Sequence, residues 1–202
     1  MKKTLLLLAL ALALPLAAFA GNSVDFTNSG GTLSGTSSGL SLTGSTLIAV
    51  NGFNGGGLIT GSNLGSFTFS TGALSSGSLQ MGGTFASGGS FSITGNGSNG
   101  LPNGVLFSGT FSSATWTLVT LANGTHNYTL TGVLTGSLGS GFYTNGVTVQ
   151  LTINTGKGFF NGSTQISSGD TTVVVPEPGS LGLLGTGLLG LAGVIRRKIK
   201  LS

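Results

Sequence analysis

The stretch VTVQLTI at residues 147–153 carries an apolar side chain at every second position, with threonine and glutamine between them. Because successive side chains of a β-strand point to opposite faces, this alternation predicts a strand with one buried and one hydrated face. Similar alternation recurs along the chain, at residues 40–50, 67–69, 91–93, 107–111, 115–121 and 128–134. No helical periodicity of useful length accompanies it, so the body of the chain is predicted to be all-β.

Asn-Gly pairs separate several of these segments, for example Asn123-Gly124 and Asn145-Gly146. This dipeptide adopts the positive φ angles of tight hairpin turns, so residues 115–134 are predicted to form a β-hairpin. Many short antiparallel strands with turns between them indicate a β-sandwich or jelly-roll-like domain. A β-solenoid remains a structural alternative, although the chain shows no fixed repeat period.

The composition excludes several classes of function. Of 202 residues 39 are glycine, 5% are charged and none is cysteine, so disulfides, thiolate nucleophiles and zinc–sulfur sites are absent. The formal net charge of +4 comes from the two ends of the chain. Between residues 21 and 175 the only charged side chains are Lys157, Asp25 and Asp170. A body with one basic side chain offers no surface for nucleic acid.

Residues 1–20 have the features of a secretory signal peptide. Two lysines precede an apolar segment, and Pro15 follows it. Ala18 and Ala20 supply the small side chains that signal peptidase requires, which places the predicted cleavage before Gly21. An exported chain is therefore expected, and residues 1–20 are predicted to form a signal helix.

A second apolar segment, at residues 179–195, is predicted to be a transmembrane helix. Its 17 residues would extend about 26 Å, close to the thickness of a membrane hydrocarbon core. A basic cluster follows directly and should stop transfer on the cytoplasmic side of the inner membrane: Arg196, Arg197, Lys198 and Lys200. Pro176, Glu177 and Pro178 stand before the helix, where the prolines favour an extended, accessible segment.

This order of Pro-Glu-Pro, apolar helix and terminal basic cluster resembles the PEP-CTERM sorting signal of exported bacterial proteins. The resemblance covers residues 176–202 and implies recognition by an exosortase-like membrane protease, with processing near Pro176, Glu177 and Pro178. It implies delivery of a membrane-anchored precursor to the cell surface or extracellular matrix, often alongside exopolysaccharide systems. The chain is thus divided into a signal peptide (1–20), a Gly/Ser/Thr-rich β-domain (21–175) and a sorting signal (176–202).

The β-domain offers little for catalysis. Its carboxylates, Asp25 and Asp170, lie near opposite ends of the domain, where terminal strands would have to bring them together for acid–base work. One histidine, His126, cannot form a metal site alone. No metal, cofactor or catalytic residue is therefore predicted, and the chain is expected not to be an enzyme.

Binding of carbohydrate is the more plausible chemistry. Trp116, His126, Tyr128 and Tyr143 fall in or near the predicted hairpin and could stack on sugar rings. The competing interpretation is that Trp116 and Tyr128 are ordinary core and cross-strand residues. We expect a structural or adhesive protein of the cell surface or matrix, linked to exopolysaccharide or biofilm. The alternatives are a secreted hydrolase using Asp25 and Asp170, and an outer-membrane β-barrel.

Overall fold

The computed structural model describes residues 22–139 and 143–175, whose regular structure consists of β-strands and two 3-10 turns, at Phe53–Gly55 and Ser98–Gly100. Residues Ser23–Val175 form one compact unit. The strands are β1 (Asn22–Ser29), β2 (Thr32–Thr36), β3 (Gly39–Asn51), β4 (Ile59–Thr71), β5 (Leu74–Ser78), β6 (Gly82–Phe85), β7 (Gly88–Asn96), β8 (Asn103–Thr120), β9 (His126–Leu138), β10 (Tyr143–Asn154), β11 (Ser163–Gln165) and β12 (Ser168–Val175). The prediction of an all-β, antiparallel domain is confirmed.

Eight of these strands close into a barrel. The ring runs β1, β12, β10, β9, β8, β7, β4 and β3, and the pairing of β3 with β1 completes it. Each neighbouring pair in the series β12, β10, β9, β8, β7, β4 and β3 is antiparallel. Shorter strands extend the sheet at one end of the barrel. Strand β2 pairs with β3 and with β11, and β6 pairs with β8 and with β5.

The predicted sandwich or jelly-roll architecture is therefore wrong, and so is the β-solenoid alternative. In a sandwich, two sheets bury their apolar faces against each other. Here a single sheet curls and closes on itself, so that its apolar face encloses the interior. A solenoid would stack parallel coils, but the strands of this ring alternate in direction. Alternating residues and tight turns are common to sandwiches and barrels, so the sequence pattern does not distinguish them.

Phenylalanine rings fill much of the barrel interior. Phe91 lies at the centre, with ring centroids 5.0 Å from Phe67, 5.8 Å from Phe107 and 6.0 Å from Phe111. Phe69 stacks on the same ring at 6.2 Å. An eight-stranded barrel has an interior just wide enough for side chains to fill, and these edge-to-face and stacked contacts account for the filling.

Inward-facing glycines of β9 make room for two of these rings. A Cβ atom at Gly132 would lie 2.4 Å from Cε1 of Phe111, and one at Gly136 would lie 2.8 Å from Cζ of Phe107. Large side chains on β8 thus pack directly against the bare backbone of β9. Some of the glycines therefore allow close packing in a narrow interior, in addition to those that form turns.

Several predicted features lie outside the described residues. These are the signal helix and cleavage site (1–20, Ala18, Ala20, Gly21), the transmembrane helix (179–195), the sorting motif (Pro176, Glu177, Pro178) and the basic cluster (Arg196, Arg197, Lys198, Lys200). In the portion that is described, no helix has the length and apolar character needed to cross a membrane.

Candidate functional site

Trp116 and Tyr128, two of the predicted glycan contacts, lie inside the barrel. Their side chains are 1% and 0% exposed, and their rings stack with centroids 5.0 Å apart. The indole Nε1 of Trp116 donates a 2.9 Å hydrogen bond to the carbonyl of Leu79. Neither ring has a free face for a sugar, so the structure contradicts this part of the prediction. The competing interpretation as core residues is the one that fits.

His126 is also buried, under the half-exposed ring of Phe159 at a centroid distance of 4.3 Å. Its Nδ1 shares a 3.0 Å hydrogen bond with Oγ1 of Thr120, so this part of the predicted glycan contact is covered as well. Tyr143 begins β10 opposite Ser137 of β9, and its side chain lies outside the described part of the structure. Trp116, His126 and Tyr128 therefore do not form an open stacking platform.

Asp25 and Asp170 lie on neighbouring strands, β1 and β12. The Gly30 amide donates to the Ser167 carbonyl at 3.1 Å, and Gly169 lies against the side chain of Asn28. The step from Gly30 to Asn28 on β1 thus corresponds to the step from Ser167 to Gly169 on β12, so the two strands are antiparallel.

Continuing this register places Thr27 beside Asp170, and Asp25 beside Thr172. Asp25 and Asp170 are then diagonal neighbours on the outer surface, with Cα atoms roughly 7–8 Å apart. A shallow depression of about 210 Å³ adjoins Asp170 and is lined by Gln150, Thr152, Ser168 and Gly169. Among the described residues no group of three or more histidine, cysteine, aspartate or glutamate side chains could hold a metal ion.

Hydroxyl groups dominate the outer face of β8, β9 and β10. Thr115 pairs with Thr131, which in turn pairs with Gln150, and that row continues to Asp170 on β12. The next row contains Thr117, Thr129 and Thr152, in which the last two share a 3.2 Å hydrogen bond between their hydroxyls. The barrel therefore presents an ordered, nearly uncharged array of hydrogen-bonding groups to its surroundings.

A larger groove of about 440 Å³ crosses the outer face of β3, β4, β7 and β8. Every residue that lines it is uncharged: Gly44, Ser45, Thr46, Asn63, Gly65, Ser66, Thr94, Gly95, Asn96 and Asn103. The hydroxyls of Ser66 and Thr94 lie 2.6 Å apart, and the Asn96 amide donates to the Asn63 carbonyl at 3.0 Å. Three side-chain amides and several hydroxyls thus converge on one surface.

This groove is not predictable from the sequence, although two of the residues that line it belong to Asn-Gly pairs. Asn96-Gly97 and Asn103-Gly104 are two further pairs of the turn-forming type, and they flank the short connection between β7 and β8. The sequence shows no sign that Asn63, on β4, meets them, because that contact joins residues 33 positions apart. An uncharged groove lined by amides and hydroxyls suits a neutral polyhydroxylated ligand better than an ionic one.

Comparison with known proteins identifies the C-terminal segment. Residues 174–198 match the PEP-CTERM protein-sorting motif, which confirms the resemblance drawn from Pro176, Glu177, Pro178 and the residues after them. The motif implies an exported precursor that an exosortase, a membrane processing enzyme, recognises. Neither the curated proteins nor the solved structures contain a match to the chain.

Proposed function

We propose that this chain, a PEP-CTERM domain-containing protein, is a non-enzymatic component of the cell surface or extracellular matrix. Its precursor is exported through the signal peptide at residues 1–20 and held in the inner membrane by the helix at residues 179–195. An exosortase-like protease then cuts near Pro176, Glu177 and Pro178 and releases the β-barrel. The barrel acts by structure or adhesion, in association with exopolysaccharide.

The composition of the outer surface of the barrel is the observation that supports the adhesive role. Its exposed strand positions are mostly serine, threonine and glycine, and the charged side chains of the barrel domain are Lys157, Asp25 and Asp170. Such a surface stays hydrated and can exchange hydrogen bonds with sugar hydroxyls without bringing a strong electrostatic field. A barrel also lacks long open strand edges, which favours persistence outside the cell.

Processing is tested by fractionating the producing cells and measuring the intact mass of the mature chain. We expect the loss of residues 1–20 and of the segment that follows the Pro-Glu-Pro motif. A variant with alanine at Pro176, Glu177 and Pro178 should remain as a membrane-bound precursor. A wild-type chain that keeps both ends and stays in the inner membrane would contradict the proposed sorting.

The adhesive role is tested in cells that lack the chain. We expect weaker aggregation and less retained matrix polysaccharide, restored by the wild-type chain but not by the variant altered at residues 176–178. Unchanged aggregation and matrix in the deletion strain would rule out this role, even where processing proceeds as proposed.

A secreted hydrolase is the second candidate function, and the neighbouring positions of Asp25 and Asp170 favour it. Diagonal neighbours have Cα atoms roughly 7–8 Å apart, so the two side chains are near enough for their carboxyl groups to reach the roughly 5–9.5 Å spacing of paired carboxylates in glycosidases. The test is release of reducing ends from the polysaccharide of the producing cells. This candidate requires that Asp25→Asn combined with Asp170→Asn abolishes the activity, and it is discarded where the wild-type chain releases nothing.

The outer-membrane barrel hypothesis is weakened by the distribution of side chains. A lipid-facing barrel needs an outward apolar band and a polar interior. Here Phe91, Phe107 and Phe111 point inwards, whereas Thr115, Thr131 and Thr152 face outwards. We therefore propose that the β-barrel works in an aqueous setting.

A further inference from the structure

The uncharged groove across β3, β4, β7 and β8 has the properties of a binding site for carbohydrate. We propose that it is the polysaccharide-binding site of the barrel and that it takes a neutral glycan chain, an inference that rests on the function proposed above. Its volume of about 440 Å³ falls within the ~300–1,000 Å³ typical of small-molecule sites. It therefore accommodates a short section of a polymer that continues past both ends.

The floor of the groove is bare backbone. Gly65 of β4 pairs with Gly95 of β7, and Gly65 has a φ of 152°. A Cβ atom at Gly65 would lie 1.8 Å from the carbonyl oxygen of Thr94, so no other residue fits there without a shift of the strand. Gly65 and Gly95 contribute only main-chain atoms to the lining, so a sugar ring can lie close to the backbone there.

The rim of the groove carries both donors and acceptors in fixed positions. Ser66 and Thr94 share a 2.6 Å hydrogen bond, and the side-chain oxygen of Asn96 accepts from the Ser98 amide at 3.0 Å while its nitrogen donates to Asn63. Asn103 is exposed, and within the described residues its amide makes no hydrogen bond. An amide that can donate and accept at once matches the hydroxyl of a sugar.

The absence of charge in the groove favours a neutral ligand. Asp25 and Asp170 stand on β1 and β12, and Lys157 follows β10. In the ring of eight strands, β12 lies four positions from β7 and β10 lies four positions from β4, on opposite sides of the barrel. β1 borders β3, but Asp25 pairs with Asn51, whereas the groove residue Thr46 pairs with Ser29, four residues further along β1. An anionic polymer would lose hydration in the groove without gaining a cationic partner.

Binding at a single groove should be weak, because none of the residues that line it is aromatic. Many copies on one cell surface, or in one matrix, would still hold a long polymer firmly, since each further contact is intramolecular. The groove thus supplies specificity for neutral glycans, and the number of copies supplies the strength of attachment.

The experiment measures how much purified full-length chain, in mild detergent, is retained by insoluble neutral polysaccharides and by the polysaccharide of the producing cells. Alginate beads serve as the anionic comparison. We expect retention on at least one neutral polymer and none on alginate. Asn103→Ala should weaken retention about three- to tenfold, the effect of losing one or two hydrogen bonds. The double variant Ser66→Ala with Thr94→Val, which removes both hydroxyls and keeps the shape of the Thr94 side chain, should weaken it at least as much.

Gln150→Ala is the matched control, because it removes an exposed amide from the opposite side of the barrel. It should bind as the wild type does. If Gln150→Ala weakens retention and the groove variants do not, the binding site lies elsewhere and the groove is excluded. If the wild type is retained on no polysaccharide, the inference is overturned. The proposed surface role is then tested by the deletion strain alone, so failure of the groove inference can be distinguished from failure of the proposed function.

Discussion

The phenol oxygen of Tyr128, on β9, donates a 2.6 Å hydrogen bond to the carbonyl oxygen of Gln80, in the turn between β5 and β6. The same oxygen accepts a 3.1 Å hydrogen bond from the amide of Phe160, in the loop after β10. One buried hydroxyl therefore ties two separate connections to the same end of the barrel. Beside it, the Leu79 carbonyl receives the indole hydrogen of Trp116 at 2.9 Å.

Removing this hydroxyl should destabilise the barrel. Tyr128→Phe leaves the Gln80 carbonyl and the Phe160 amide without the partner that they share. Because the buried Phe160 amide keeps its full desolvation penalty once it is unpaired, we expect a loss of about 1–3 kcal/mol in the free energy of unfolding. Urea unfolding measures it. Thr131→Val, on the exposed face of the same strand, is the control and should change stability little. Equal stability of the Tyr128→Phe variant and the wild type would contradict the bonding described here.

The environment of Trp116 gives a spectroscopic prediction. It is the single tryptophan of the chain and is 1% exposed, stacked on Tyr128 and in edge-to-face contact with Phe160. Its fluorescence should therefore emit at short wavelength and resist quenching by acrylamide in the folded chain. Both properties should disappear on unfolding in urea. A red-shifted, readily quenched emission from the folded chain would instead support the open stacking role that the sequence suggested.

Two buried polar atoms lack a hydrogen-bond partner within the described residues, Oδ1 of Asn28 and Oγ1 of Thr171. Thr171→Val keeps the shape of the side chain and removes an unpaired hydroxyl, so stability should be unchanged or higher. Ser45→Ala should have the opposite effect, because it removes the 2.7 Å acceptor of the Asn28 amide. We expect a loss of about 1–3 kcal/mol in the free energy of unfolding. Comparing the two urea midpoints tests the prediction, and a more destabilised Thr171→Val would refute it.

The sequence predicted the strands better than it predicted their arrangement. The alternation in residues 147–153 and 128–134 corresponds to β10 and β9, and Asn123-Gly124 lies in the turn between β8 and β9. Barrel closure depends on the pairing of β1 with β12 and with β3, which local patterns do not encode. The excursions through β2, β5, β6 and β11 likewise depend on tertiary pairing.

The candidate site was harder to predict than the fold because aromatic residues have two common roles. Trp116 and Tyr128 fall on the same alternating pattern as Leu118 and Leu130, and it is the inward face of that pattern that places them in the core. The groove, by contrast, consists of asparagine, serine, threonine and glycine, which are abundant throughout the chain. Only the meeting of β3, β4, β7 and β8 distinguishes those residues from others of the same type.

The packing of Phe111 on Gly132 provides the sharpest test of the barrel interior. In Gly132→Ala, the added Cβ would lie 2.4 Å from Cε1 of Phe111, so the ring or the strand must shift. Overpacking of this kind typically costs about 1–3 kcal/mol, and we expect a loss of that size in the free energy of unfolding. Gly57→Ala is the matched control, because no atom lies within 4 Å of the position that its Cβ would take. It should be neutral or stabilise the chain by up to about 1 kcal/mol, since alanine restricts the unfolded state. Equal stability of the two variants would mean that the ring of Phe111 does not pack on β9, and the closed interior described here would then be incorrect.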